Sequence, residues 1–187
     1  MKSDFKQSIK DAYLKSFFLR TKNEIEDSDD QANSVLTKIY TDILYDNGTI
    51  SDYELLYFEK EISRNSNIKI NGYSFSEEDL RLDLFITHYD PSEKIQEIKY
   101  NSVLELIENA KNFYLQSAKK LYEKINKKED AYDISKIIYK NVNEITTVRI
   151  FVLTNCKALD AHLINLLRQC SEQLAPLGNH SKGLRNH

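Results

Sequence analysis

The chain has 187 residues, the size of one ordinary domain, with 41% hydrophobic and 29% charged residues, a globular rather than a disordered balance. Its formal net charge of -3 argues against a broad non-specific nucleic-acid surface, although not against a local basic cleft. The first residues lack the apolar run of a secretory signal, no segment approaches a membrane span, and two cysteines are too few for a disulfide framework, so a cytoplasmic setting is expected.

Taken in chain order, Phe5, Ile9, Ala12 and Tyr13 fall at helical spacing within residues 5–20, and the polar stretch Asn23 to Gln31 breaks that pattern. A second helix is predicted from Ala32, Val35, Leu36, Ile39, Ile43 and Leu44, with Ser28, Asp29 or Asp30 as its cap and Gly48 as its left-handed stop. Strand signals follow. Glu54 to Ile62 is rich in Leu, Tyr and Phe. Ile68 to Phe75 alternates, with Gly72 suggesting a bulge, and Leu80, Leu82, Leu84 and Ile86 then alternate with Arg81, Asp83, Phe85 and Thr87. Asp90-Pro91-Ser92 ends the hairpin.

Ser102 and Glu105 have capping-box spacing, and Val103, Ile107, Ala110, Tyr114, Ala118, Leu121 and Ile125 mark a helix running to about Lys124. Ala131, Ile134, Ile137 and Ile138 suggest a short helix, and Val148 to Leu153 a strand buried on both faces. The tail differs in composition: residues 156–187 contain no Phe or Tyr but hold both cysteines and three of the four histidines. Leu159, Leu163, Leu166, Leu167, Cys170 and Leu174 fit an amphipathic helix, while Asn179 to His187 reads as disordered. Two units are therefore expected, 1–155 and 156–187, the second an ordinary C-terminal helix with a disordered end, or a foreign junction, frameshift or early truncation.

The predicted order is α/β, with an α-β-β-β-α-β core of the restriction-endonuclease-like kind and extra helices. That nuclease chemistry needs an Asp on the second strand and an acid or Gln, then any residue, then Lys on the third. The acids hold Mg²⁺ and the lysine helps to activate water.

The run Asn71-Gly72-Tyr73-Ser74-Phe75-Ser76-Glu77-Glu78-Asp79 and the following Arg81-Leu82-Asp83-Leu84-Phe85-Ile86 resemble the N-terminal domain of the abortive-infection phage-resistance (AIPR) family. Asp52-Tyr53-Glu54-Leu55 and Phe58-Glu59-Lys60 upstream fit it too, as does Val148 to Asn155 downstream, so the likeness covers roughly residues 30–155. The resemblance implies a cytoplasmic bacterial defence protein with a further C-terminal region as partner. Some relatives carry Asp-Gly before the hairpin and Gln-x-Lys at its end. Matched to those positions, this chain has Asn71, Ile86 and His88. An amide is a poor ligand for Mg²⁺ and isoleucine is none, so the resemblance implies a degenerate site, with no cofactor, acting in interaction or sensing.

A rival set, Asp83 with Glu97-Ile98-Lys99, has the spacing of an active Mg²⁺-dependent nuclease. Glu97 and Lys99, however, fall in a linker or short strand, and Asp83 on an alternating strand is expected to face solvent. His88 with Cys156, His162, Cys170 and His180 offers zinc-type donors, but at spacings that fit no short Cys pair. Tyr53, Tyr57, Tyr73, Tyr89 and Tyr100 could stack bases, and more simply pack a sheet face with their hydroxyls at the rim. A third reading is a module that senses a phage component or mediates self-association, through whatever apolar patch the further C-terminal region would cover.

Overall fold

The computed structural model describes residues 2–28, 30–63 and 66–158. The predicted tail helix from Leu159 and the segment after it lie outside these. α1 (Lys2–Glu26) and α2 (Ala32–Asp46) lead into three antiparallel strands, β1 (Glu54–Ser63), β2 (Ser66–Ser76) and β3 (Arg81–His88). A two-residue strand β4 (Glu97–Ile98) precedes α3 (Tyr100–Ser117), a 3-10 turn (Leu121–Glu123) and α4 (Ala131–Asn141). β5 (Thr147–Thr154) and the short β6 (Lys157–Ala158) follow. The main sheet has the order β1-β2-β3-β5, with β5 parallel to β3, and β4 pairs with β6 in a second, two-stranded sheet. The protein is thus a mixed α/β structure, with the hairpin central and Val148 to Leu153 in the sheet as the sequence leads one to expect. Among the described residues no helix is long and apolar enough to cross a membrane.

α3 and α4 cover one face of the sheet. Leu82, Leu84 and Ile86 from β3 meet Val103, Ile107, Ala110 and Phe113 from α3 and Ile134 and Ile138 from α4, all buried. α2 covers the opposite face, where Tyr40 and Leu44 pack against Phe85, Ile50 and Leu153. Because helices lie on both sides, the six inner residues of β3 are all buried, where alternation alone predicted one wet face.

Several local expectations need correction. α1 continues through Asn23 to Glu26 and docks near its C-terminal end, with Phe17 against Tyr40 at 5.2 Å between ring centroids and Phe18 and Thr21 buried. Tyr13, expected on its inner face, is 66% exposed. α2 begins after Gln31 with no side-chain cap from Ser28 or its neighbours. Its buried stripe is Leu36, Thr37, Ile39 and Thr41, whereas Ile43 is exposed. Thr37 is buried because its hydroxyl meets that of Thr87 on β3 at 2.7 Å. α3 starts at Tyr100, two residues before the expected capping box, and its N-cap residue Lys99 makes no side-chain cap bond. It stops at Ser117 rather than near Lys124, because Lys120 takes a left-handed conformation (φ 64°) and turns the chain into the 3-10 segment. Leu121 and Ile125 nevertheless remain buried.

Gly48 ends α2 at φ 71° as its residue type predicts. The expected bulge is present near Gly72, with the extra residue on the partner strand: Leu55 pairs with Gly72 and Phe58 with Ile70, so Leu56 and Tyr57 face Asn71 alone. This slip explains why Ile68 and Ile70, then Tyr73 and Phe75, all reach the same core. Gly72 is required there by close approach, since a Cβ at this position would lie 2.7 Å from the Glu54 carbonyl oxygen.

Candidate functional site

The three positions matched to the nuclease motif lie around the C-terminal half of β3. Asn71 is 2% exposed, and its Oδ1 accepts from the Thr87 backbone N–H at 2.9 Å. The Nδ2 has no partner among the described residues. Asn71 also lines a cleft of about 290 Å³ with Gln31, Ser34, Leu56 and Asp130. Thus Asn71 touches the Ile86-Thr87-His88 segment, but Ile86 turns away into the apolar core under α3 and is wholly buried. His88 is half-buried at the strand's end.

Asp83 does not face solvent, which corrects the sequence reading: it is 1% exposed. Arg149 on β5, its register partner, binds both carboxylate oxygens, Nε to Oδ1 at 2.5 Å and Nη2 to Oδ2 at 2.7 Å. Arg81 Nε lies 3.5 Å from Oδ2, and Arg149 also donates to the Thr49 carbonyl at 2.9 Å. Single-strand alternation identifies the face but not the neighbour that fills it. The signal was Arg149 at the start of an otherwise apolar strand, since an arginine there needs an acid beside it.

Glu97 and Lys99 are both exposed, Glu97 on β4 and Lys99 just beyond it. β4 pairs with β6, beyond the C-terminal end of β5. Asp83 instead sits beside Arg149, five residues before Thr154 closes that strand, with both carboxylate oxygens taken up by Arg149. Among the described residues no hydrogen bond or ion pair joins Asp83 to Glu97 or Lys99. Of the five tyrosines, Tyr73 packs into the core, while Tyr57 and Tyr100 are exposed.

A different set does converge. One donor atom each from His88, Asp90 and Cys156 lies within 4.8 Å of the others. The parallel pairing of β3 and β5 sets His88 beside Thr154, and two residues beyond each stands a further donor, Asp90 and Cys156. Asn155 ties the two loops together: its Oδ1 accepts from the Asp90 N–H and its Nδ2 donates to the Asp90 carbonyl, both at 2.8 Å. The Asp90 Oδ1 accepts from the Ser92 N–H at 2.8 Å, and bonds to Ser92 hold this carboxyl below its usual range, with His88 adding a smaller effect. Burial pushes the Cys156 thiol up. No short-range spacing marks this set: in the sequence Asp90 reads as a turn residue, and His88 lies far from Cys156.

Neither a curated protein nor a solved structure matches the chain. The family model of the abortive infection phage resistance protein N-terminal domain matches residues 36–168, from within α2 through β5 and beyond. That span contains the hairpin, Asp83 and its arginine partner, and the His88 cluster. The chain belongs to the family of abortive infection phage resistance protein N-terminal domains.

Proposed function

We propose that this domain serves a cytoplasmic bacterial antiphage protein as a non-cleaving module for interaction or sensing, on a restriction-endonuclease-like core. The fold reading is supported by a meander β1-β2-β3 with β5 added parallel to β3 and helices on both faces, the order expected of an α-β-β-β-α-β core. The observation that carries the functional reading is the chemistry at the end of β3. The matched positions hold an amide whose oxygen is engaged by Thr87 and an isoleucine sunk in the core. Without a carboxylate pair, Mg²⁺ would be held chiefly through water, too weakly to align a hydroxide with a phosphodiester. Asp83 offers no replacement, since Arg149 occupies both of its oxygens.

On this reading the domain's partners are a C-terminal region of the whole protein and further copies of itself. The test is incubation of the purified chain with single- and double-stranded DNA and RNA in Mg²⁺ or Mn²⁺. No cleavage above a metal-free control is expected. Metal-dependent cleavage abolished by both Asp83→Ala and Lys99→Ala would overturn the proposal and establish an active nuclease using Asp83, Glu97 and Lys99.

A further inference from the structure

The C-terminal ends of parallel neighbouring strands are where open α/β sheets hold their ligands, because the loops there splay apart while the strands fix their roots. β3 and β5 are the parallel pair of this main sheet, and their ends present an imidazole, a carboxylate and a thiol to one another. We propose that His88, Asp90 and Cys156 bind one divalent transition-metal ion of the zinc class, leaving a fourth coordination position to solvent.

Geometry comes first. Tetrahedral zinc with bonds of about 2.0–2.3 Å sets its ligand atoms about 3.5 Å apart. The three donor atoms already lie within 4.8 Å of one another, so side-chain rotation of about an ångström closes the site with no backbone movement. The backbone is fixed by the two Asn155 bonds to Asp90 and by the Cys156 N–H, which donates to Thr154 Oγ1 at 3.1 Å. The Tyr40 hydroxyl donates to the Thr154 carbonyl at 2.7 Å, anchoring the same corner to α2. Such outer bonds orient metal ligands.

Chemistry selects the ion. A mixed sulfur, nitrogen and oxygen set suits zinc, cobalt or nickel and discriminates against Mg²⁺ and Ca²⁺, which require oxygen throughout. Ser92 holds Oδ1 of Asp90 through its N–H, an outer bond of the kind that orients a ligating carboxylate. On binding, the Cys156 S–H bond breaks, a sulfur–metal bond forms and the proton passes to water. Thiolate and carboxylate together then offset the dication, so the half-buried site carries no net charge and its burial is not opposed by an unpaired ion. Nothing here depends on whether the end of β3 can cleave a phosphodiester.

The test uses the full chain with Cys170→Ser, so that Cys156 is the only cysteine. Metal-stripped protein is titrated with Co²⁺ and then with Zn²⁺. The expected result is one ion per chain, a cobalt–thiolate charge-transfer band that zinc abolishes, and protection of Cys156 from a thiol reagent by one equivalent of zinc. His88→Gln and Cys156→Ser should each weaken zinc binding by about 100-fold, and Asp90→Asn by about 10-fold, with unchanged far-ultraviolet circular dichroism. Absence of a thiolate band, or full affinity in both His88→Gln and Cys156→Ser, would overturn the proposal. If a variant does not fold, the band and the thiol protection in the Cys170→Ser chain decide the question alone.

Discussion

Replacing Arg149 with methionine would leave the Asp83 carboxylate inside the protein without its guanidinium. Asp83 is 1% exposed, so in the intact protein its carboxylate depends on its protein partners rather than on water. Losing one partner of a buried ion pair costs about 3–5 kcal/mol, mostly the penalty of the stranded charge. Two features place Arg149→Met toward the lower end: Arg81 remains 3.5 Å from Oδ2, and the Arg149 side chain is 34% exposed, so some solvent enters the vacated space. The lost bond to Thr49, which ties the α2–β1 loop to the sheet, adds a little. A loss of about 3 kcal/mol is expected, or roughly 6–12 °C in Tm for a domain of this size.

Urea denaturation followed by circular dichroism measures it, as a lower midpoint at unchanged slope. Adding Asp83→Asn to Arg149→Met should recover at least about 1 kcal/mol, because the amide no longer demands a counter-ion. A single-variant cost below about 1 kcal/mol, or strict additivity of the two substitutions, would refute the reasoning.

Gly72→Ala should cost about 1–3 kcal/mol in the same assay, since its Cβ would meet the Glu54 carbonyl at 2.7 Å and the Phe85 ring at 3.3 Å; a neutral result would mean that the bulge relaxes freely. Deleting residues 179–187 should leave Tm unchanged, because the segment offers few apolar anchors, and a marked loss of Tm would show that it packs. The expected absence of Mg²⁺- or Mn²⁺-dependent cleavage and the expected one-to-one binding of zinc are checked by independent solution assays.

What was legible in the sequence was whatever repeats at short range. The hairpin strands, the α3 stripe from Val103 to Tyr114 and the apolar β5 each carry their period in consecutive residues. Helix ends were harder. Ser102 and Glu105 have the right spacing for a cap, but Ile98 is already committed to β4 against β6, and the chain enters α3 immediately after Lys99. Pairings across the fold were illegible for a different reason. Asp83 looks like a surface residue until β5 sets Arg149 beside it. His88 and Cys156 look unrelated until the same register brings their strand ends together. Asn71, Ile86 and His88 were identified by resemblance, which says which residue types stand at those positions but not that Ile86 points into the core and Asn71 into a cleft.

The slip in β1 has a consequence for colloidal behaviour. β1 is an outer strand of the sheet, ten residues long, with Leu55, Tyr57 and Ile62 exposed, a combination that invites edge-to-edge growth into aggregates. The doubled residues Leu56 and Tyr57 break the ladder, and a second irregularity follows between Glu61 and Ser63, leaving the two-residue run Glu54–Leu55 and, as the longest regular run, Phe58 to Glu61. Three of those four residues are Glu59, Lys60 and Glu61. An incoming strand would find a run too short and too charged to template on, so the distortion that accommodates Asn71 and Gly72 also protects the outer margin of the sheet.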